Sequence, residues 1–224
     1  DDETVNALLR LSRPDDIWLD VGAGGGRYAL PLALHVGRVF AIDPSPSMLE
    51  ALSDDALAEG ISNVDVIESR WPMAQPPSGD VALMAHVGYD IADIGPFVEQ
   101  LESRARRLCV AVMGASAMQT TGTLFWRGVH GEDRVRLPAL PEFVTLLFAR
   151  GRLPQITLVE RTPPTFASFD DALAMARRQL WVRAGSAKDE TLTALARESV
   201  TERDGRFAFE WAPTKIGIVS WLPA

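Results

Sequence analysis

Residues 17 to 27 read Ile17-Trp18-Leu19-Asp20-Val21-Gly22-Ala23-Gly24-Gly25-Gly26-Arg27. A short apolar run carrying one acid passes straight into a glycine loop, and a helical pattern over Tyr28 to Val36 follows. Glycine lets the backbone turn sharply there and lets a ligand approach without a Cβ in the way. The start of the following helix offers amides that lack an intrahelical acceptor. A nucleotide-like ligand at the carboxyl end of this first strand is therefore physically sensible.

Outward from that loop, short β-branched runs alternate with longer helical patterns. The second strand is Val39-Phe40-Ala41-Ile42-Asp43. Ser45 suits an N-cap, Pro46 a first helical position and Gly60 a C-terminal stop, with Met48, Leu49, Leu52 and Leu57 at helical spacing between them. Val64 to Ile67 and Val81 to Ala85 read as strands three and four, separated by a proline-rich connection from Pro72 to Gly79. Pro96 can open a helix carrying Phe97, Val98 and Leu101, which Arg104, Arg106 and Arg107 would end as a solvated face. Leu108 to Met113 is strand five. Such alternation predicts an α/β fold with a mostly parallel sheet and crossover helices.

Beyond Met113 the pattern is less regular. Gly114 to Arg136, with Thr120-Thr121-Gly122-Thr123, reads as an irregular loop. Leu140 to Arg150 reads as a helix stopped by Gly151, and Ile156 to Glu160 as a strand. Ser168 and Ser186 each stand three residues before an aspartate, Asp171 and Asp189, at capping-box spacing. They would open helices through Arg183 and Val200. Phe207 to Trp211 and Ile216 to Trp221 predict a terminal hairpin turning at Pro213-Thr214.

The chain has 224 residues, 47% of them apolar, enough for one substantial core, and a single domain over 1–224 is expected. Within it the cofactor-binding half would cover about 15–115, with substrate-side cap elements at about 114–136 and 165–203. The net charge of -8 disfavours a polyanion partner, so neither nucleic acid nor an anionic membrane is expected. The one cysteine, Cys109, lies in an apolar run, and His35, His86 and His130 lack ligand-like spacing, so no metal is expected. No run approaches the ~18 apolar residues of a membrane span, and the first residues, Asp1-Asp2-Glu3, carry no signal-like character. A cytoplasmic protein, monomer or homodimer, is the resulting expectation.

Glycine spacing alone leaves two kinds of ligand open. A dinucleotide pattern started at Gly22 fails at Arg27, but started at Gly24 it is met by Gly24, Gly26 and Ala29. The acid before the loop discriminates. Asp20 can accept from an ammonium group, whereas beside a pyrophosphate it would repel. Asp43, at the end of strand two, can hold both hydroxyls of a ribose, which either ligand needs.

Several segments, in order and spacing, resemble class I (Rossmann-like) S-adenosylmethionine-dependent methyltransferases. Asp20-Val21-Gly22-Ala23-Gly24-Gly25-Gly26 is similar to motif I, and Phe40 to Leu49 is similar to motif II with its ribose acid. Val66-Ile67-Glu68-Ser69-Arg70-Trp71-Pro72 resembles the adenine-edge motif, and Gly79 to Val87 the strand-four motif. The resemblance covers about residues 15 to 115. It implies a three-layer sandwich with a seven-stranded sheet, mostly parallel with an antiparallel last strand. It also implies S-adenosylmethionine as cofactor, S-adenosylhomocysteine as product, and direct displacement onto a small-molecule acceptor.

Carried residue by residue, the resemblance puts Asp20, Gly22, Ala23, Gly24, Gly26, Asp43, Pro44, Met48, Ser69, Arg70, Trp71 and His86 at the cofactor. His86 and Tyr89, after strand four, are the candidates for catalysis or substrate contact. Two departures stand out. Ser69 replaces the acid that meets the adenine amino group in many relatives. His86-Val87-Gly88-Tyr89 stands where base-methylating enzymes carry Asn- or Asp-Pro-Pro-Tyr. An NAD(P)-dependent oxidoreductase and a non-catalytic S-adenosylmethionine-binding protein remain the alternatives; the chain has no Tyr-x-x-x-Lys pair of a short-chain dehydrogenase.

Overall fold

The computed structural model describes residues 2–116, 121–161, 164–209 and 214–223. In chain order the first elements are α1 (Glu3–Leu9), β1 (Ile17–Val21), α2 (Ala29–Ala33), β2 (Arg38–Asp43), α3 (Pro46–Ala58) and β3 (Val64–Glu68). Then come β4 (Gly79–Ala85), α4 (Ile94–Arg104), β5 (Ala105–Gly114), α5 (Thr121–His130), α6 (Leu140–Ala149) and β6 (Gln155–Arg161). The remainder is α7 (Phe169–Leu180), α8 (Ala187–Ser199), β7 (Val200–Arg203), β8 (Arg206–Phe209) and β9 (Thr214–Trp221).

Seven strands form one sheet in the order β3-β2-β1-β4-β5-β9-β6. The pairs β1–β2, β2–β3, β1–β4 and β4–β5 are parallel, and β5–β9 is antiparallel. The fold is thus the expected α/β sandwich with a seven-stranded, mostly parallel sheet and an antiparallel last strand. Central strands are buried on both sides, which is why β1, β4 and β5 read as nearly continuous apolar runs. Alternation sorts their side chains. Trp18, Val81, Leu83, Val110 and Val112 pack on one face with Leu8 of α1 and Ala29 and Leu32 of α2. Leu19, Val21, Ala82, Met84, Ala111 and Met113 pack on the other with Phe97, Val98 and Leu101 of α4 and Phe143 and Leu147 of α6. Each such side chain buried in full stabilises by roughly 1.5–3 kcal/mol.

Two compact units can be distinguished, Asp1–Ala115 with Pro138–Val159 and Ile216–Ala224, and Ser116–Leu137 with Glu160–Lys215. The second has its own core of Phe125, Val129, Leu173, Leu180, Leu192 and Phe209. Ser168 and Ser186 cap α7 and α8 by accepting from the amides of Asp171 and Asp189. Only half of each expected capping box forms. The Asp189 carboxylate turns instead to Arg177, with bonds of 2.7 and 3.0 Å, and so ties α8 to α7.

Several expectations need correction. The segment read as an irregular loop from Gly114 to Arg136 contains α5; residues 117–120 lie outside the described residues. Phe207 does not pair with the last strand: β8 pairs with β7 around Asp204-Gly205, two residues with positive φ, as a tight hairpin requires. Pro213, the expected turn, and Trp211 lie outside the described residues. Helix α7 stops at Leu180, where Trp181 takes a left-handed C-cap. Helix α4 starts at Ile94 rather than Pro96, and α1 was not foreseen. Arg106 is exposed as expected, but neither Arg106 nor Arg107 ends a helix. They lie on β5, where Arg106 pairs with Asp80 and Arg107 with the buried Asp16.

Candidate active site at the carboxyl ends of the strands

From β1 the chain crosses to β2 on one side, while β4 lies on the other. The sheet order therefore reverses between β1 and β4, and this opens a crevice beyond their carboxyl ends. The glycine loop after β1 borders it. Gly22, Gly24 and Gly26 all have positive φ, of 81°, 53° and 83°. Their reasons differ. A Cβ on Gly22 would stand 2.4 Å from Val87 Cγ2, and one on Gly26 would stand 2.8 Å from Leu52 Cγ. Those two glycines serve close packing. A Cβ on Gly24 would meet nothing within 4 Å, so this glycine leaves open space. Ala23, between them, is buried and donates to the Ile42 carbonyl at 3.1 Å.

The Gly24 amide donates to Asp43 Oδ2 at 2.9 Å, and the Ser45 amide donates to Asp43 Oδ1 at 2.9 Å. Each oxygen of Asp43 thus accepts one amide and keeps further acceptor capacity. Asp20 lies deeper. Its register partner is Ala41, two residues before Asp43, and it is 1% exposed. Neither of its carboxylate oxygens accepts a hydrogen bond of ordinary geometry. Burial, reinforced by the nearby charge of Asp43 and only partly offset by the Ala29 amide, pushes the Asp20 carboxyl up to about 7. A buried acceptor left this way is costly unless something meets it. Glu68 stands in register with Asp43, exposed, at the end of β3.

The adenine-edge candidates are anchored to this frame. Ser69 donates its amide to the Asp43 carbonyl at 3.1 Å and its hydroxyl to the Arg70 carbonyl at 3.0 Å, and Arg70 is exposed. Trp71 is drawn toward α4: its indole donates to the Phe97 carbonyl at 3.1 Å and its ring meets the Phe97 ring edge-on at 6.3 Å. Pro44 and Met48 are exposed beside the first turn of α3.

The two candidates after β4 diverge. His86 takes a left-handed backbone, φ 57°, and donates its amide to the Val112 carbonyl at 2.8 Å. For a residue with a Cβ that conformation costs roughly 1–3 kcal/mol and persists only where neighbours impose it. Its Nε2 lies 2.9 Å from the hydroxyl of Tyr28, the residue before α2. Tyr89 turns the other way and accepts from the Gly114 amide at 2.7 Å, at the end of β5. Tyr28 is the residue that sequence reasoning missed. It sits 58 positions from His86 and carries no local signal beyond following the glycine loop. Among the described residues no group of three or more His, Cys, Asp or Glu could hold a metal ion, and no helix is long and apolar enough to cross a membrane.

This geometry coincides with a family match. Residues 19–108 match the family model described as a methyltransferase domain. Over those residues the chain is similar to a methyltransferase domain. The match runs from β1 into β5, across the five strands of the side that carries the crevice. Among curated relatives, the chain is 28% identical over 129 residues to ribosomal RNA small subunit methyltransferase G of Pseudomonas paraeruginosa, covering 57% of this chain and 52% of the relative. The chain spans between about half and three-fifths of the length of the first curated relatives it matches. Among solved structures, the YcgJ protein of Bacillus subtilis aligns with a TM-score of 0.67 at 17% identity, over 100% of both chains. Magnesium protoporphyrin IX methyltransferase of Synechocystis PCC 6803, solved with bound S-adenosylhomocysteine, aligns with a TM-score of 0.60 at 13% identity, over 98% of this chain and 82% of that one. At such identities the likeness is one of fold alone.

Proposed function

We propose that this chain is an S-adenosylmethionine-dependent methyltransferase whose acceptor is a small molecule. The observation that carries the cofactor is Asp20, a fully buried carboxylate without an ordinary hydrogen-bond donor beneath a glycine loop. An ammonium group is the natural partner for it, and a second carboxylate, Asp43, stands one crossover away for a ribose. With Glu68 in register beyond, the rim is acidic, which suits a cationic ligand and opposes a pyrophosphate. That is the ground for setting the NAD(P) alternative aside.

Bound there, the cofactor would supply a methyl group already made electrophilic by its sulfonium. The chain would then need only to align an acceptor and exclude water, work that reaches roughly 7–11 kcal/mol in favourable systems. Asp20 and Asp43 would grip the two ends, Gly24 would leave room between, and Ser69 and Arg70 would border the base. His86, held after β4, would stand on the acceptor side. The small-molecule reading rests on the charge of -8 and on His86-Val87-Gly88-Tyr89 after β4. The ribosomal RNA enzymes among the relatives keep a nucleic-acid acceptor as the second reading.

Melting shifts with S-adenosylhomocysteine, NAD and NADP test the cofactor, since a ligand at 100 times its Kd stabilises by ~2.7 kcal/mol. A shift with NAD alone ends the methyltransferase reading. Labelled-methyl transfer to a small-molecule panel, against ribosomal RNA, tests the acceptor; label in RNA alone reverses that part.

A further inference from the structure

Tyr28 closes a link that the family match does not assign. The residue is 4% exposed, and its hydroxyl is 2.9 Å from His86 Nε2 with ring centroids 5.9 Å apart. His86 is therefore fixed at two points, by β5 through its amide and by the head of α2 through its ring. A phenol is a stronger donor than acceptor, and an unprotonated imidazole nitrogen is a strong acceptor. The Arg27 guanidinium carbon stands 5.2 Å from the Tyr28 ring centroid, and a cation there further polarises the phenolic O–H.

We propose that Tyr28 is a positioning residue: its hydroxyl donates a hydrogen bond to His86 Nε2 and so sets the tautomer of the neutral ring, with the proton on Nδ1. The functional meaning of this rests on the methyltransferase reading, in which His86 stands on the acceptor side. The consequence is a substrate class. With Nε2 occupied by Tyr28 and Nδ1 carrying the proton, His86 has no lone pair left to take a proton from the acceptor. The acceptor atom is thus one that presents its own lone pair at the moment of transfer, such as an ionised thiol, phenol or enol or a neutral amine. Any proton on it leaves to water before or after the methyl moves. His86 contributes orientation and shape, and Tyr28 acts through His86.

The test uses the whole chain labelled with ¹⁵N. Its three histidines give a simple two-bond ¹H–¹⁵N spectrum, with His86 assigned by its loss in His86→Gln. Above the ordinary histidine pKa, wild type is expected to show His86 as one tautomer, protonated at Nδ1. In Tyr28→Phe, which keeps the ring and removes only the hydroxyl, the Nε2–H tautomer should appear. A wild-type His86 protonated at Nε2 overturns the proposal whether or not the variant folds, and so does an unchanged tautomer in a folded variant. The S-adenosylhomocysteine melting shift is read on the same wild-type sample. A missing shift with the Nδ1 tautomer present fails the cofactor reading alone, and a shift with the Nε2 tautomer fails the Tyr28 proposal alone.

Discussion

The amide of Gly24 donates to the carboxylate of Asp43 at 2.9 Å, so the loop after β1 and the acid at the end of β2 hold each other in place. Asp43 is both a candidate ligand-binding group and a strut for the loop above it. Asp43→Ala is expected to weaken S-adenosylhomocysteine by ~1–3 kcal/mol through lost charged hydrogen bonds. Calorimetry checks this, and an unchanged Kd would reduce Asp43 to a turn residue.

Asp20 makes stability depend on pH in the unusual direction. Its carboxyl stands at about 7 in the folded chain, against an ordinary 3.8. The native state keeps this proton where the unfolded chain has released it, so stability falls as pH rises from about 4 to about 7. The loss from this group is on the order of 4 kcal/mol, at 1.36 kcal/mol per pH unit. Asp20→Asn should flatten that slope: melting curves at the two ends of the window should lie closer together than in wild type. An equally steep wild-type and variant profile would contradict it.

The same carboxyl should report ligand binding. A cationic group placed against Asp20 favours its ionised form, so binding S-adenosylhomocysteine slightly below neutral pH should release a proton. Calorimetry in two buffers of different ionisation enthalpy reads this directly. Proton release should vanish in Asp20→Asn; identical apparent enthalpies for wild type in both buffers would exclude the contact.

Gly24 and Gly26 should fail differently. Both need positive φ, so alanine is strained at either position. At Gly26 the new methyl also meets Leu52, and overpacking of that kind typically costs ~1–3 kcal/mol of stability. At Gly24 it enters open space. Gly26→Ala should show the larger drop in melting temperature and Gly24→Ala the larger drop in ligand affinity. The reverse order would misplace the cradle.

Glu102 binds the far side of the sheet together. It accepts from Arg152 at 2.8 and 3.1 Å and from the Trp221 indole at 2.9 Å. Burial opposes its charge, yet Arg152 and Trp221 outweigh that and hold its carboxyl below the ordinary glutamate range. Its contribution is present above the unfolded pKa and fades as pH falls below it, the opposite sense to Asp20. Breaking a buried pair from one side typically costs ~3–5 kcal/mol, and Glu102→Ala should lose that much in urea unfolding. A change under ~1 kcal/mol would mean that Arg152 finds other company.

What was legible in the sequence was local. Ile17 to Asp43 announces two strands and their glycine loop, because buried parallel strands are continuous apolar runs and the loop needs residues without side chains. Ser45, Pro46 and Gly60 mark the ends of α3, although the Ser45 side chain makes no capping hydrogen bond there. Tyr28 was invisible, since an aromatic at the head of a helix looks like core until His86 arrives from 58 positions away. Arg107 misled for the same reason: its charge suggested solvent, and only the fold reveals buried Asp16 opposite it. Helix α5 was lost among threonines and glycines that favour turns, where packing against Ala172 to Leu180 and Leu192 to Ala196 overrides propensity.

Strand β9 comes latest of the seven in chain order yet lies between β5 and β6. During synthesis β6 therefore waits, with no neighbour in the sheet, until some sixty residues more have emerged. The five-strand side bearing the glycine loop can assemble first, while the far edge stays exposed to wrong pairing until Trp221 arrives to close on Glu102. Shortening the chain within Ile216–Trp221 would thus harm recovery of the folded protein well before it touched the ligand crevice.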